Sequence, residues 1–99
     1  NVVLSGGQDG QLHVQRDNES LLTLDVHQSA VYRGLIHGSK LWTCGRDKDV
    51  KAWSLESLAA LDKLKLPHTR SVNAMTLGGP DGAHLATGSD DRSIKIWSL

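Results

Sequence analysis

The stretch Leu85-Ala86-Thr87-Gly88-Ser89-Asp90-Asp91-Arg92-Ser93-Ile94-Lys95-Ile96-Trp97-Ser98-Leu99 decides how the rest of this chain is read. Leu85 to Gly88 is a short apolar run that ends on a small residue. Ser89-Asp90-Asp91-Arg92 is a polar turn in which Asp side chains can take nearby backbone N–H groups. From Ser93 onward the residues alternate. Ile94, Ile96 and Ser98 lie to one side and Lys95, Trp97 and Leu99 to the other, which is the period of a strand. The stretch reads as a β-hairpin.

The same pattern occurs twice more. In Leu41 to Leu55, the residues Thr43, Asp47, Val50, Lys51 and Trp53 stand where Thr87, Asp91, Ile94, Lys95 and Trp97 stand in the last copy. Leu4 to Gln15 keeps Ser5, Asp9 and the apolar positions but has Gln15 in place of the Trp. The turn aspartates Asp9, Asp47 and Asp91 are 38 and then 44 residues apart, close to the roughly 40–45-residue period of a four-stranded propeller blade. Gly88-Ser89-Asp90-Asp91 followed by Ile94-Lys95-Ile96-Trp97 is near the WD40 consensus, and over nearly its whole length the chain resembles the WD40-repeat β-propeller family. The resemblance implies an all-β fold: a WD40 propeller fragment of four-stranded antiparallel blades in an incomplete ring. It divides the chain into an incomplete blade (1–26), a full blade (27–66) and a blade lacking its outer strand (67–99), about two and a half blades in all.

Taken in order, the chain reads as ten short strands separated by turns, an all-β pattern. The ambiguous piece is Glu56 to Leu66. Leu58-Ala59-Ala60-Leu61-Asp62-Lys63-Leu64 has helical apolar spacing and good helix formers, but the repeat places an outer strand there, and we read Leu61 to Leu66 as strand. Gly79-Pro80-Asp81-Gly82 reads as a turn that resembles the family's Ser-Pro-Asp-Gly hairpin.

The chain has 99 residues, 38% of them hydrophobic, with 11 basic and 11 acidic side chains. The balanced charge removes the electrostatic reason to expect nucleic acid or an anionic membrane as the main partner. No apolar run approaches the roughly 18 residues that a membrane helix needs. The one cysteine, Cys44, has no partner for an internal disulfide and reads as a small buried strand residue, which fits a reducing compartment, cytoplasmic or nuclear. The five histidines show no metal-ligand spacing, and Gly6-Gly7-Gln8-Asp9-Gly10 lacks the Lys-Ser/Thr of a phosphate loop. Neither a metal nor a cofactor is expected.

His27, Thr43, Asp47 and Trp53 in one repeat, and His68, Thr87, Asp91 and Trp97 in the next, invite a hydrolase reading, since His, Asp and a hydroxyl are the elements of a nucleophilic triad. The set occurs twice at nearly equal offsets, whereas a catalytic site needs one copy. In WD40 proteins, which the chain resembles, these four side chains form a buried hydrogen-bonded chain that gives each polar group a partner. The first copy retains only Ser5 and Asp9 of the set.

The resemblance also places partner binding on the top face, formed by the Asp-bearing turns and the loops before the innermost strands. Carried over position by position, the candidates are Ala30, Tyr32 and Arg46 in one repeat, Ser71, Asn73 and Asp90 in the next, and Gln8 in the incomplete one. Tyr32 and Arg46 suit a binding hot spot best. The reading is a non-catalytic protein-interaction scaffold. Two alternatives stand beside it: the C-terminal WD40 region of a multidomain enzyme such as a kinase or ubiquitin ligase, used for substrate recruitment, and a component of an RNA-associated assembly. Trp53-Ser54-Leu55 and Trp97-Ser98-Leu99 stand where cullin-ligase receptors of the family often have Trp-Asp-x-Arg. Because Leu99 follows a third strand while Asn1 enters a blade at its second, the chain is expected to be the C-terminal part of a longer propeller. The remainder of that propeller, or further copies, would then close the ring.

Overall fold

A computed structural model describes residues 2–16, 22–57, 59–64 and 68–99. The chain runs as β1 (Val2–Gly6), β2 (Gln11–Arg16), β3 (Leu22–Asp25), β4 (Val31–His37), β5 (Lys40–Gly45), β6 (Val50–Ser54), β7 (Ala60–Lys63), β8 (Val72–Gly78), a 3-10 turn (Pro80–Gly82), β9 (His84–Ser89) and β10 (Ile94–Ser98). Hydrogen bonding divides these into three antiparallel sheets, β1-β2-β3, β4-β5-β6-β7 and β10-β9-β8.

Two sheet-to-sheet interfaces make the core, and the period-2 alternation of the middle sheet feeds both. Leu41 pairs with Trp53 and Thr43 with Lys51, while Trp42 pairs with Ala52 and Cys44 with Val50. The first set points toward the β1–β3 sheet, where Leu41 and Val31 pack on Leu12, Val14 and Val26. The second points toward the β8–β10 sheet, where Trp42, Cys44, Val50 and Ala52 pack on Val72, Met75 and Leu85. Both faces of β5 are therefore buried from Leu41 to Gly45. Side chains also reach between sheets to backbone carbonyls: Lys51 Nζ donates to Val26 O at 2.8 Å and Arg33 Nε to Met75 O at 3.0 Å.

The segment with helical spacing is a strand. β7 pairs antiparallel with β6, Lys51 opposite Lys63 and Ala52 opposite Asp62. Its four residues are all exposed, so pairing with β6 and not burial of an apolar stripe decides its conformation. It is shorter than the sequence suggests. Leu64 lies beyond the strand, and Leu66 and Pro67 fall outside the described residues, as do Asn1 and Leu21. The Gly79–Gly82 segment closes as a single 3-10 turn with Asp81 in the left-handed region.

The third sheet is covered on one side only. Ile94 sits opposite Gly88 and Ile96 opposite Ala86. These two isoleucines are 78% and 72% exposed, whereas Val50 and Ala52 at the same places in the middle sheet are 0% and 1% exposed.

Candidate functional site

Three turns at one end of the sheets share one construction. In each, an N–H bonds back three residues, Gly10 to Gly7 O, Lys48 to Gly45 O and Arg92 to Ser89 O, at 3.4, 3.3 and 3.2 Å. In each, the turn aspartate accepts the N–H two residues on: Asp9 from Gln11 (3.0 Å), Asp47 from Asp49 (3.1 Å) and Asp91 from Ser93 (2.9 Å). The residue closing each turn is left-handed: Gly10 at φ 83, Lys48 at φ 74 and Arg92 at φ 70. Only the first is a glycine, and there a Cβ would lie 2.0 Å from His27 O.

The aspartates anchor the two side-chain chains. His27 Nδ1 lies 2.9 and 3.0 Å from the two Asp47 oxygens, and His27 Nε2 lies 2.9 Å from Thr43 Oγ1, which accepts from Trp53 Nε1 at 3.0 Å. The second set matches it: His68 Nδ1 to Asp91 at 2.9 Å, His68 Nε2 to Thr87 Oγ1 at 2.8 Å, and Trp97 Nε1 to Thr87 Oγ1 at 3.1 Å. An indole N–H can only donate and a carboxylate can only accept. Each threonine oxygen therefore accepts from Trp, its own hydrogen goes to His Nε2, and the imidazole Nδ1–H goes to Asp. Burial lowers the His27 pKa and outweighs the pull of Asp47, which keeps the imidazole in the neutral form this direction requires. Burial alone would raise Asp47, but the N–H groups of Gln28 and Asp49 together with His27 hold it below its ordinary value. Asp91 is held well below the carboxylate range, chiefly by the Ser93 hydroxyl.

In the first sheet, Ser5 is exposed beside an exposed Gln15, and Asp9 caps its own turn through Gln11. Burial pushes the Cys44 thiol up to about 12, so it is an inert core residue at neutral pH. Among the described residues no three His, Cys, Asp or Glu side chains could hold a metal ion.

The partner-binding candidates lie around the same turns. Tyr32 is 47% exposed, and Gln8, Arg46, Asn73 and Asp90 are exposed as well. Ser71 is half-buried and its hydroxyl approaches Arg46 O at 3.5 Å. Ala30 is different: it is 8% exposed, and its carbonyl takes the Arg46 N–H at 2.9 Å, so its methyl presents nothing to a partner. The register slips between Val31 and Arg33 in β4 and between Val72 and Ala74 in β8. Tyr32 and Asn73 are thus bulge residues, turned out of the pleat. Asn73 Nδ2 is bound to Asp90 Oδ1 at 2.7 Å. Sequence reasoning missed Arg33, Arg70 and the left-handed cations Lys48 and Arg92. The one available signal was that Lys48 and Arg92 occupy the repeat position that Gly10 fills.

Three sheets, each packed face to face on the next and each turned by an Asp-anchored hairpin at the same end, define an arc of a β-propeller. The family model "WD domain, G-beta repeat" matches residues 62–98. The crystal structure of the WD40 β-propeller domain of Doa1 superposes with a TM-score of 0.82 at 25% identity, over 98% of this chain and 32% of that one. "DNA damage-binding protein 2" of Mus musculus is 30% identical over 103 residues, covering 98% of this chain and 24% of the relative. "Small ribosomal subunit protein RACK1y" of Oryza sativa subsp. japonica is 27% identical, over 96% of this chain and 30% of the relative. The chain therefore spans a quarter to a third of the length of these relatives. It belongs to the WD40-repeat β-propeller family, whose fold generally serves as a scaffold for protein interaction.

Proposed function

We propose that this chain is a non-catalytic scaffold that docks protein partners on the end of its sheets bearing the Asp turns. One observation carries the reading. The groups that could do chemistry are closed off, since Thr43 and Thr87 are 0% and 1% exposed and each oxygen is held between an imidazole and an indole. Groups suited to binding, the bulged Tyr32 and the turn residue Arg46, face outward on the same end. Incorporating a photo-crosslinking residue at Tyr32 or Arg46 should capture partner proteins, while the same residue at Ser39, in the turn at the opposite end, should not. Equal capture from both ends would refute the assignment of the face. Ester or peptide turnover by the pure protein that Thr43→Ala or Thr87→Ala abolishes would refute the non-catalytic reading.

The partners proposed are proteins or peptides, with neither membrane nor nucleic acid as the main ligand. The exposed Ile94 and Ile96 face takes another blade, from the rest of the propeller or from a further copy. The lone buried Cys44 supports a cytoplasmic or nuclear setting, where thiols stay reduced. Among the described residues no helix is long and apolar enough to cross a membrane.

A further inference from the structure

The charged groups around the three turns are used unequally. Every carboxylate there is engaged within the chain. Asp9 holds Gln11 N, Asp47 holds His27 and two N–H groups, Asp49 pairs with Lys63 at 3.4 Å, Asp90 holds Asn73, and Asp91 holds His68, Thr69 N and Ser93. The cations differ. Arg46, Lys48, Arg70 and Arg92 are all exposed, and among the described residues none has a side-chain hydrogen bond or an ion pair. Arg33, Lys51 and Lys63, away from the turn tips, each have one.

The loops that carry these cations are joined to one another. Ser71 Oγ approaches Arg46 O, Asp90 N donates to Ser71 O at 3.3 Å, and Ser89 Oγ donates to Arg70 O at 3.2 Å. Arg46, Arg70 and Arg92 thus sit on three successive, mutually bonded segments. Thr69, Arg70, Asp90, Asp91 and Arg92 line a polar hollow of about 310 Å³ between two of them. Lys48 and Arg92 are also held left-handed, a conformation that disfavours every side chain and that the first repeat fills with Gly10. Strain retained at exposed, unpaired cations points to a use for the side chains.

We propose that this rim recognises an acidic peptide segment, its carboxylates or phosphate monoesters received by Arg46, Arg70, Arg92 and Lys48. The inference rests on the docking face proposed above and names the chemistry of its partner. Formal charges around the turns nearly balance, so the selection is local: each of these carboxylates already holds a partner within the chain, whereas the four cationic side chains are exposed and, among the described residues, hold none. A guanidinium fork matches the paired oxygens of a carboxylate or phosphate. A nucleic acid would instead call for a continuous basic stripe, which Asp90 and Asp91, lining the same hollow as Arg70 and Arg92, interrupt.

Fluorescence anisotropy on the purified protein tests this with ten-residue peptides of alternating glycine and glutamate, glycine and phosphoserine, and glycine and glutamine, and with a ten-residue thymidine oligonucleotide. The two acidic peptides should bind and the glutamine peptide should not. Tighter binding of the phosphoserine peptide identifies phosphate monoesters as the natural anion, and equal binding identifies carboxylates. Arg46→Gln, Arg70→Gln and Arg92→Gln combined should weaken binding roughly tenfold or more. Arg92→Gly should weaken it about threefold while the melting temperature holds or rises, an outcome that damage to the fold would not give. Failure of both acidic peptides, equal binding of the glutamine peptide, preference for the oligonucleotide, or unchanged affinity in the triple variant would overturn the proposal. If crosslinks from Tyr32 persist in that variant, the docking face stands and the acidic class alone falls.

Discussion

Thr43→Val tests the buried chains most sharply, because it changes hydrogen bonding with almost no change in shape. Thr43 is fully buried, and its oxygen lies 2.9 Å from His27 Nε2 and 3.0 Å from Trp53 Nε1. A methyl in that place leaves an imidazole acceptor and an indole donor unpaired. An orphaned buried group costs about 1–3 kcal/mol, and the hydroxyl's own desolvation, no longer required, returns about 1 kcal/mol. With two groups orphaned and that return subtracted, the expected net loss is about 1–5 kcal/mol, read as a lower urea midpoint at unchanged slope. Trp53→Phe removes only the donor and should cost less than a truncation to Ala. The double variant should cost about 1 kcal/mol less than the two single losses together, because the two substitutions combined leave the imidazole as the only orphan. Ser5→Ala supplies the internal control: Ser5 is exposed and its repeat has Gln15 for the Trp, so its effect should stay within about 0.5 kcal/mol. A Thr43→Val protein within that same margin of the parent, or a Ser5→Ala loss as large as the Thr43→Val loss, would refute the reasoning.

Three further outcomes are expected. Stability should fall with acid in two stages. His27 has a folded pKa below its ordinary 6.5, so below that pH the unfolded chain takes up a proton that the folded chain resists. Asp47 and Asp91 are depressed below their ordinary 3.8 and add a second loss beneath it; His27→Gln should remove the first stage from a melting profile measured between pH 7 and pH 4. Gly45→Ala should be strongly destabilising, because its Cβ would sit 2.4 Å from Ala30 O, and Gly38→Ala, which meets nothing within 4 Å but has φ +59, should cost only about 1 kcal/mol; equal denaturation midpoints for the two would contradict the close approach. Ile94→Lys with Ile96→Lys should reduce concentration-dependent association in light scattering, since charges there oppose burial of the open sheet face; unchanged scattering would move the sticky surface elsewhere.

The fold was legible in the sequence because each repeat solves the same local problem with the same residues. A small residue, an aspartate two positions on and an alternating apolar strand specify a turn and its register by themselves, and three copies at blade spacing specify how the sheets must stack. The Leu58–Leu64 segment marks where local preference misleads. Its helical spacing is real, but β6 offers a hydrogen-bonding edge that a helix would leave open. The site was legible only in part. The two side-chain chains could be named because their residue types recur at fixed offsets. The bulges at Tyr32 and Asn73 could not, because Val31-Tyr32-Arg33 and Val72-Asn73-Ala74 alternate like unbroken strand. The burial of Ala30 was hidden for a related reason: it depends on Gly45 admitting the Ala30 carbonyl, a contact between two segments 15 residues apart.

The two outer faces of the arc are not equivalent, and the difference bears on what can join them. Between the second and third sheets, Val50 and Ala52 meet Val72, Met75 and Leu85. The open face of the third sheet repeats the first half of that contact with Ile94, Ile96 and Ala86. The open face of the first sheet does not repeat the second half. Among the described side chains it presents Ser5, His13, Gln15 and Thr23, with His13 Nδ1 3.0 Å from Thr23 Oγ1 and Gln11 Nε2 donating to Asp25 Oδ1 at 3.1 Å. Joining copies head to tail would press two isoleucines against that polar layer. The apolar area would be covered, but amides and hydroxyls would be desolvated with no new partners, at a cost of roughly 1–3 kcal/mol for each group left unpaired. A sheet that offers leucine, a bound threonine and tryptophan, as the second and third sheets do, covers the same isoleucines without that penalty. The geometry therefore favours completion by another blade of that kind over closure by copies of this chain.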